Sequence, residues 1–115
     1  MPTEIIVPAH FLKKLKKLAK KYPSVLKEFE KLSLQLKNDQ RPGDKIPGIG
    51  RDVYKMRLAN RSAKRGKSGG FRVIYYIKLT NRVVLVTIYS KTGQTNISPE
   101  KIRRILEEVI PDNED

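Results

Sequence analysis

Apolar positions recur with a helical period near the start of the chain and with a period of two through its middle. Phe11, Leu12, Leu15, Leu18, Ala19 and Tyr22 form one stripe, and lysines fill the other side of the same segment. Pro23 ends that helix, because the residue before a proline is pushed out of the helical region. Ser24 is placed to cap a second helix, whose stripe is Val25, Leu26, Phe29, Leu32 and Leu36. With so short a link, the two helices form an antiparallel hairpin. Ahead of them, Glu4 to Val7 reads as a short strand. Residues 38 to 50, NDQRPGDKIPGIG, read as a Gly- and Pro-rich loop.

Alternation then sets in. Val53 to Leu58, Phe71 to Lys78 and Val83 to Tyr89 read as three strands, with Thr80 and Asn81 turning between the last two. Ser98-Pro99-Glu100 opens a final helix: a capping hydroxyl, a proline at the first helical position and an acid in the first turn. Its stripe is Ile102, Ile105, Leu106 and Val109, and the tail PDNED reads as frayed. The order β-α-α-β-β-β-α predicts an α+β fold, a twisted and largely antiparallel sheet with the helical hairpin on one face. Residues 1–115 form one domain, since neither side of the 38–50 loop is large enough to fold alone.

Alternation also sorts the strand residues by face. Tyr54, Met56 and Leu58 point one way, and Lys55 and Arg57 the other. Phe71, Val73, Tyr75 and Ile77 oppose Arg72, Ile74 and Tyr76. In the last strand Val84, Val86 and Ile88 alternate with Val83, Leu85, Thr87 and Tyr89, a series that Lys91 continues. One consistent assignment puts Lys55, Arg57, Arg72, Tyr76, Tyr89 and Lys91 on the face away from the hairpin. Chemistry is expected there.

Charge sharpens that expectation. The formal net charge is +13, and residues 51 to 91 carry 11 Lys or Arg against one acid, Asp52. This balance implies a polyanionic partner. Cations around aromatic rings on a sheet suit RNA, because the cations hold phosphates and the rings stack on unpaired bases. The plainer alternative is that Arg72 pairs with a carboxylate and the tyrosines pack. The lysines of KKLKKLAKK admit three readings: a solvated face, a contact to RNA, or a membrane surface. With no cysteine, disulfides and thiolate metal sites are excluded. The single histidine, His10, reads as a helix-start residue, and no metal or cofactor is expected. No apolar run reaches the ~20 residues of a membrane span. The expectation is a soluble, cytoplasmic protein without membrane contact.

Gly66-Lys67-Ser68 looks like half of a phosphate-binding loop. Such a loop needs a glycine at position 61 and a helix after it. Position 61 is Arg61, and the segment runs on through Gly69 and Gly70 into a strand. It therefore reads as a mobile strand connection carrying Arg61, Lys64, Arg65 and Lys67 toward RNA, or else as a solvated loop.

The strand VYKMRL, the segment GKSGGFRVIYY and the strand VVLVTIYSK resemble, in this order, the RelE/ParE superfamily of bacterial toxins, in particular its RelE/HigB-like members. The resemblance spans nearly the whole chain and is most specific from Val53 to Ile105. It implies the toxin of a type II toxin-antitoxin system, neutralised by a cognate antitoxin. It further implies an mRNA interferase, an endoribonuclease that enters the ribosomal A site, cuts mRNA there and stops translation. ParE-type relatives instead inhibit DNA gyrase, and a homologue that only binds RNA or antitoxin is a third reading. Lys55 and Arg57 match the family's basic pair on the strand after the hairpin. Arg72 matches the arginine of its G-[YF]-R-[LV]-[VI]-Y segment, and Lys91 lies near a further basic position. The chain departs from the family where RelE has a late catalytic tyrosine, since TGQTNISPE holds none, and no histidine ends the last strand. Tyr89 takes that place by position.

Cleavage through the 2′-hydroxyl requires a base, a holder for the phosphorane charge and an acid for the leaving 5′-oxygen. With no histidine among the strands, Lys55 or Lys91 would serve as the base. Arg57 and Arg72 would hold the phosphate, and Tyr89 would orient or protonate.

Overall fold

The computed structural model describes residues 3–62, 70–91 and 96–109. Along the chain come β1 (Glu4–Ile6), α1 (Ala9–Lys21), α2 (Val25–Lys37), β2 (Asp44–Lys45), β3 (Val53–Leu58), β4 (Phe71–Leu79), β5 (Arg82–Ser90) and α3 (Pro99–Val109). Only β2, a two-residue strand inside the expected 38–50 loop, has no counterpart in the alternation. The roles expected of Lys64, Arg65 and Lys67 and of the PDNED tail lie outside the described residues.

One sheet runs β1-β5-β4-β3-β2. β3, β4 and β5 follow one another as antiparallel neighbours, while β1 lies parallel to β5. The turn Thr80–Asn81 joins β4 to β5 as expected. Asn81 does not use its tolerance of positive φ there, because Asp39 is the sole non-glycine with positive φ among the described residues. Its carbonyl accepts the Glu4 N–H instead and ties β1 to the turn.

The hairpin of α1 and α2 covers one face. Phe11, Leu15, Val25, Leu32 and Leu36 pack on Phe71, Val73, Tyr75, Val83, Leu85 and Ile88. Each such side chain, fully buried, is worth about 1.5–3 kcal/mol of transfer free energy. Ser24 does not cap α2 with its side chain. Its hydroxyl accepts the Ser62 N–H at 3.0 Å, and the Ser62 hydroxyl accepts the Ser24 N–H. The serine pair therefore fastens the helical corner to the chain leaving β3.

The opposite face is not open. α3 lays Ile102, Ile105 and Leu106 over Ile74, Tyr76, Val84, Val86 and Tyr89, and Ile46 and Ile49 of the β2–β3 loop extend this second core. Ser98 starts α3 as its sequence predicts, its hydroxyl accepting the Lys101 N–H at 3.2 Å. The parity of β5 also differs from simple alternation. Tyr75 pairs with Leu85 but Ile74 pairs with Thr87, which leaves Val86 as an extra residue in the ladder. This bulge resets the pleat. Val83 and Leu85 face the hairpin together with Ile88, whereas Val84 and Val86 join Tyr89 under α3.

Candidate functional site

The site is built at the end of the second face that carries Arg57, Arg72 and Tyr89, where Arg57 is exposed and the other two are buried. β3 alternates Val53 into the second core, Lys55 to a half-buried position and Arg57 into solvent. Strand register then fixes a row across three strands, with Arg57 opposite Arg72 and Arg72 opposite Tyr89. Lys55 stands two positions to one side, in the row of Ile74 and Thr87. Half-buried Lys91 stands two positions to the other side, where its N–H donates to the Gly70 carbonyl. Two residues along a strand span about 7 Å. The five residues expected to carry catalysis thus share one end of the sheet.

Their exposures differ from the sequence reading. Arg72 was expected to project from the core, yet it is 4% exposed. Its guanidinium donates to the Phe71 carbonyl at 3.2 Å. Burial lowers its pKa and the facing Arg57 lowers it further, with Tyr89 acting the other way. Tyr89 is buried too, and burial raises its phenol above the ordinary value while Arg72 partly opposes this. Among the described residues the Tyr89 hydroxyl has no hydrogen-bond partner.

Of the residues expected to hold RNA, Tyr76 does not present a ring for stacking. It sits in the second core, with the Arg51 guanidinium 5.6 Å from its ring centroid and Arg51 donating to its hydroxyl at 3.1 Å. Sequence reasoning counted Arg51 only as charge. The isoleucines of IPGIG were the available sign that this loop packs, because a solvated loop has no use for them. Arg103 of α3 closes the arrangement by donating to the Gly48 carbonyl. Arg61 stays exposed beyond β3, and its Nε lies 3.2 Å from the buried Glu28 carboxylate. His10 is exposed on the first turn of α1. No group of three or more His, Cys, Asp or Glu that could hold a metal occurs among the described residues.

Two guanidiniums side by side, flanked by ammonium groups, suit a phosphate. The exposed Arg57 guanidinium offers a planar fork of donors, and an incoming anion relieves its repulsion with the buried Arg72. The phenol beside them is kept protonated by burial, which suits a donor and not a base.

The family model described as RelE toxin of the RelE/RelB toxin-antitoxin system matches residues 43–109. The chain belongs to the RelE toxin family. The matched span contains every strand of the arginine row and all of α3, and leaves out the helical hairpin. The fold as a whole, hairpin included, resembles that of E. coli toxin RelE, an arginine-to-alanine double mutant in the free state. The TM-score is 0.55 at 19% identity, covering 96% of each chain. No curated protein matches the chain. A RelE-family toxin implies an antitoxin partner. Among the described residues no helix is long and apolar enough to cross a membrane.

Proposed function

We propose that this RelE-family chain is a ribosome-dependent mRNA endonuclease, a cytoplasmic toxin that stops translation until its cognate antitoxin binds. The observation that carries the reading is the row Arg57–Arg72–Tyr89 with Lys55 and Lys91 at its sides. In this reading the arginines hold the phosphate whose oxygens gain charge in the transition state. Lys55 or Lys91 takes the 2′-hydroxyl proton. Tyr89, protonated and beside Arg72, gives a proton to the leaving 5′-oxygen. Arg61 guides the RNA, and the charges of Lys64, Arg65 and Lys67 belong to the same reading. Chemistry of this kind needs no cofactor.

The burial of Arg72 and Tyr89 favours a second reading, in which the toxin homologue binds RNA or antitoxin and cuts nothing. Toeprinting on programmed ribosomes separates the two. Cleavage within the A-site codon supports the endonuclease. Binding without cleavage leaves the second reading. Inhibition of gyrase supercoiling with translation intact would replace both by a ParE-like activity.

A further inference from the structure

Lys14 differs from the lysines that follow it on α1. It is half-buried, whereas Lys17, Lys20 and Lys21 are exposed. Its Nζ donates at 3.1 Å to the hydroxyl of Thr87, which has no exposed surface. Burial lowers the pKa of Lys14, and Lys101 of α3 and Lys17 lower it further. The charges acting on it are thus cations, and β5 contributes only the Thr87 hydroxyl and the Tyr89 phenol, both neutral. An amine desolvated among cations loses its proton more readily and becomes a nucleophile. Donating one N–H to Thr87 does not use the lone pair of the neutral form.

Lys14 also lines a groove of about 560 Å³ between α1 and the end of β5. Leu18, Ile88 and Tyr89 contribute to its wall, and Lys17, Lys20 and Lys21 stand around it. Among the described residues no Asp or Glu lines the groove, and none of the four lysines takes part in an ion pair. An anion entering it gains charge-assisted contacts and relieves the repulsion among the lysines. A phosphodiester would satisfy these cations but offers the amine nothing to react with. An acyl phosphate offers both an anionic end for the exposed lysines and an electrophilic carbonyl carbon for Lys14.

We propose that Lys14 is a modification site that takes the acyl group of a small acyl phosphate, with Lys17, Lys20 and Lys21 holding the phosphate. The Nζ lone pair attacks the acyl carbon and forms the C–N bond. The bond from that carbon to the bridging oxygen breaks, and its electron pair leaves with inorganic phosphate. The extra proton on the nitrogen passes to solvent. An N-acyl-lysine and inorganic phosphate remain, and the side chain has lost its positive charge. The reaction requires neither RNA nor an antitoxin, so it goes beyond the cleavage reading and does not depend on it. In that reading, the lost charge lies in a groove that Tyr89 also lines.

The test incubates the full chain with acetyl phosphate and follows each lysine by peptide mass spectrometry. Lys14 should be acetylated at least about fivefold faster than Lys37, an exposed lysine at the end of α2. Lys21 is not among the charges that lower the pKa of Lys14, so Lys21→Gln isolates the holding of the phosphate. This variant should slow acetylation of Lys14 about threefold or more. Lys37→Gln makes the same change in net charge and should alter the Lys14 rate less than about 1.5-fold. Acetic anhydride, a neutral donor, should still favour Lys14 over Lys37, but its rate at Lys14 should not respond to Lys21→Gln. The proposal is overturned by a Lys14 rate no higher than that of Lys37, or by a Lys14 rate indifferent to Lys21→Gln. Equal slowing in Lys37→Gln, or the same slowing with the anhydride, would overturn it too.

Discussion

Arg57 on β3 and Arg72 on β4 stand directly opposite one another, the first guanidinium in solvent and the second buried. This asymmetry separates function from packing. Arg57→Ala removes an exposed cation and relieves repulsion, so stability should change by no more than about 0.5 kcal/mol. Cleavage on programmed ribosomes should fall about 10²-fold, the usual cost of a lost preorganised donor. Arg72→Ala also loses the packing of the buried stem and should cost about 1–2 kcal/mol. Arg72→Lys keeps the stem and the charge but not the planar fork, so it should stay folded and still be impaired. Melting temperature and toeprinting read both quantities. A folded Arg57→Ala protein that cuts at the parent rate would remove the arginine row from the mechanism.

Gly70 is held by contact. A Cβ added there would lie 1.9 Å from the Leu58 carbonyl oxygen and 2.9 Å from the Asn60 nitrogen. Both atoms are backbone, so neither can swing aside. Gly70→Ala must push β3 and β4 apart at the end that carries the arginines, and should cost about 1–3 kcal/mol. The Gly70 carbonyl also accepts the Lys91 N–H, so Lys91 should move with it. Thermal unfolding checks this, and an alanine variant as stable as the parent would contradict it.

The strands and helices were legible because Val53 to Leu58 and the stripes of α1, α2 and α3 keep one period from end to end. The face that holds Arg72 was legible for the same reason. Its burial was not, since alternation says which way a side chain points and not what lies over it. The stripe of α3 was visible, but its destination depends on long-range packing. Once α3 lies on Ile74, Tyr76 and Val86, the tyrosines that looked like stacking platforms become core. The bulge at Val86 was equally hidden, because VVLVTIY is apolar on both parities. Tyr89 reaches the expected face through that bulge and not through unbroken alternation.

Glu28 fastens the exit of β3 to the hairpin. Burial works to raise its pKa, but hydrogen bonds from Lys31 and Arg61, together with their charges, outweigh it and hold the carboxyl below its ordinary value. A depressed folded pKa means that the native state binds fewer protons than the unfolded chain. The associated stability is present above about pH 4.3 and is lost as pH falls through the folded value. Glu28→Gln should therefore be less stable than the parent at pH 7. The gap should stay below about 1 kcal/mol, because both cations are mostly exposed. By pH 3 the gap should shrink. Denaturant midpoints at the two pH values check it, and a gap that stays constant would show that the ion pairs contribute nothing.

Tyr89→Phe puts the proposed acid to the sharpest test. The hydroxyl is buried without a partner among the described residues, so it carries a desolvation cost that no bond offsets. Deleting it should leave stability unchanged or raise it by up to about 1 kcal/mol. Linkage adds a second signature. The phenol pKa is raised, so above about pH 10 an unfolded tyrosine releases a proton that the native one retains. Stability of the parent then falls as pH rises, and the phenylalanine variant lacks that contribution. Its advantage over the parent should widen between about pH 9 and pH 11. Cleavage at neutral pH should nevertheless drop about 10²-fold if this hydroxyl protonates the leaving oxygen. A stable variant that cuts at the parent rate would make Tyr89 a packing residue and leave the leaving group to solvent. A destabilised variant would mean that the hydroxyl is bonded after all, and that its place beside Arg72 is structural.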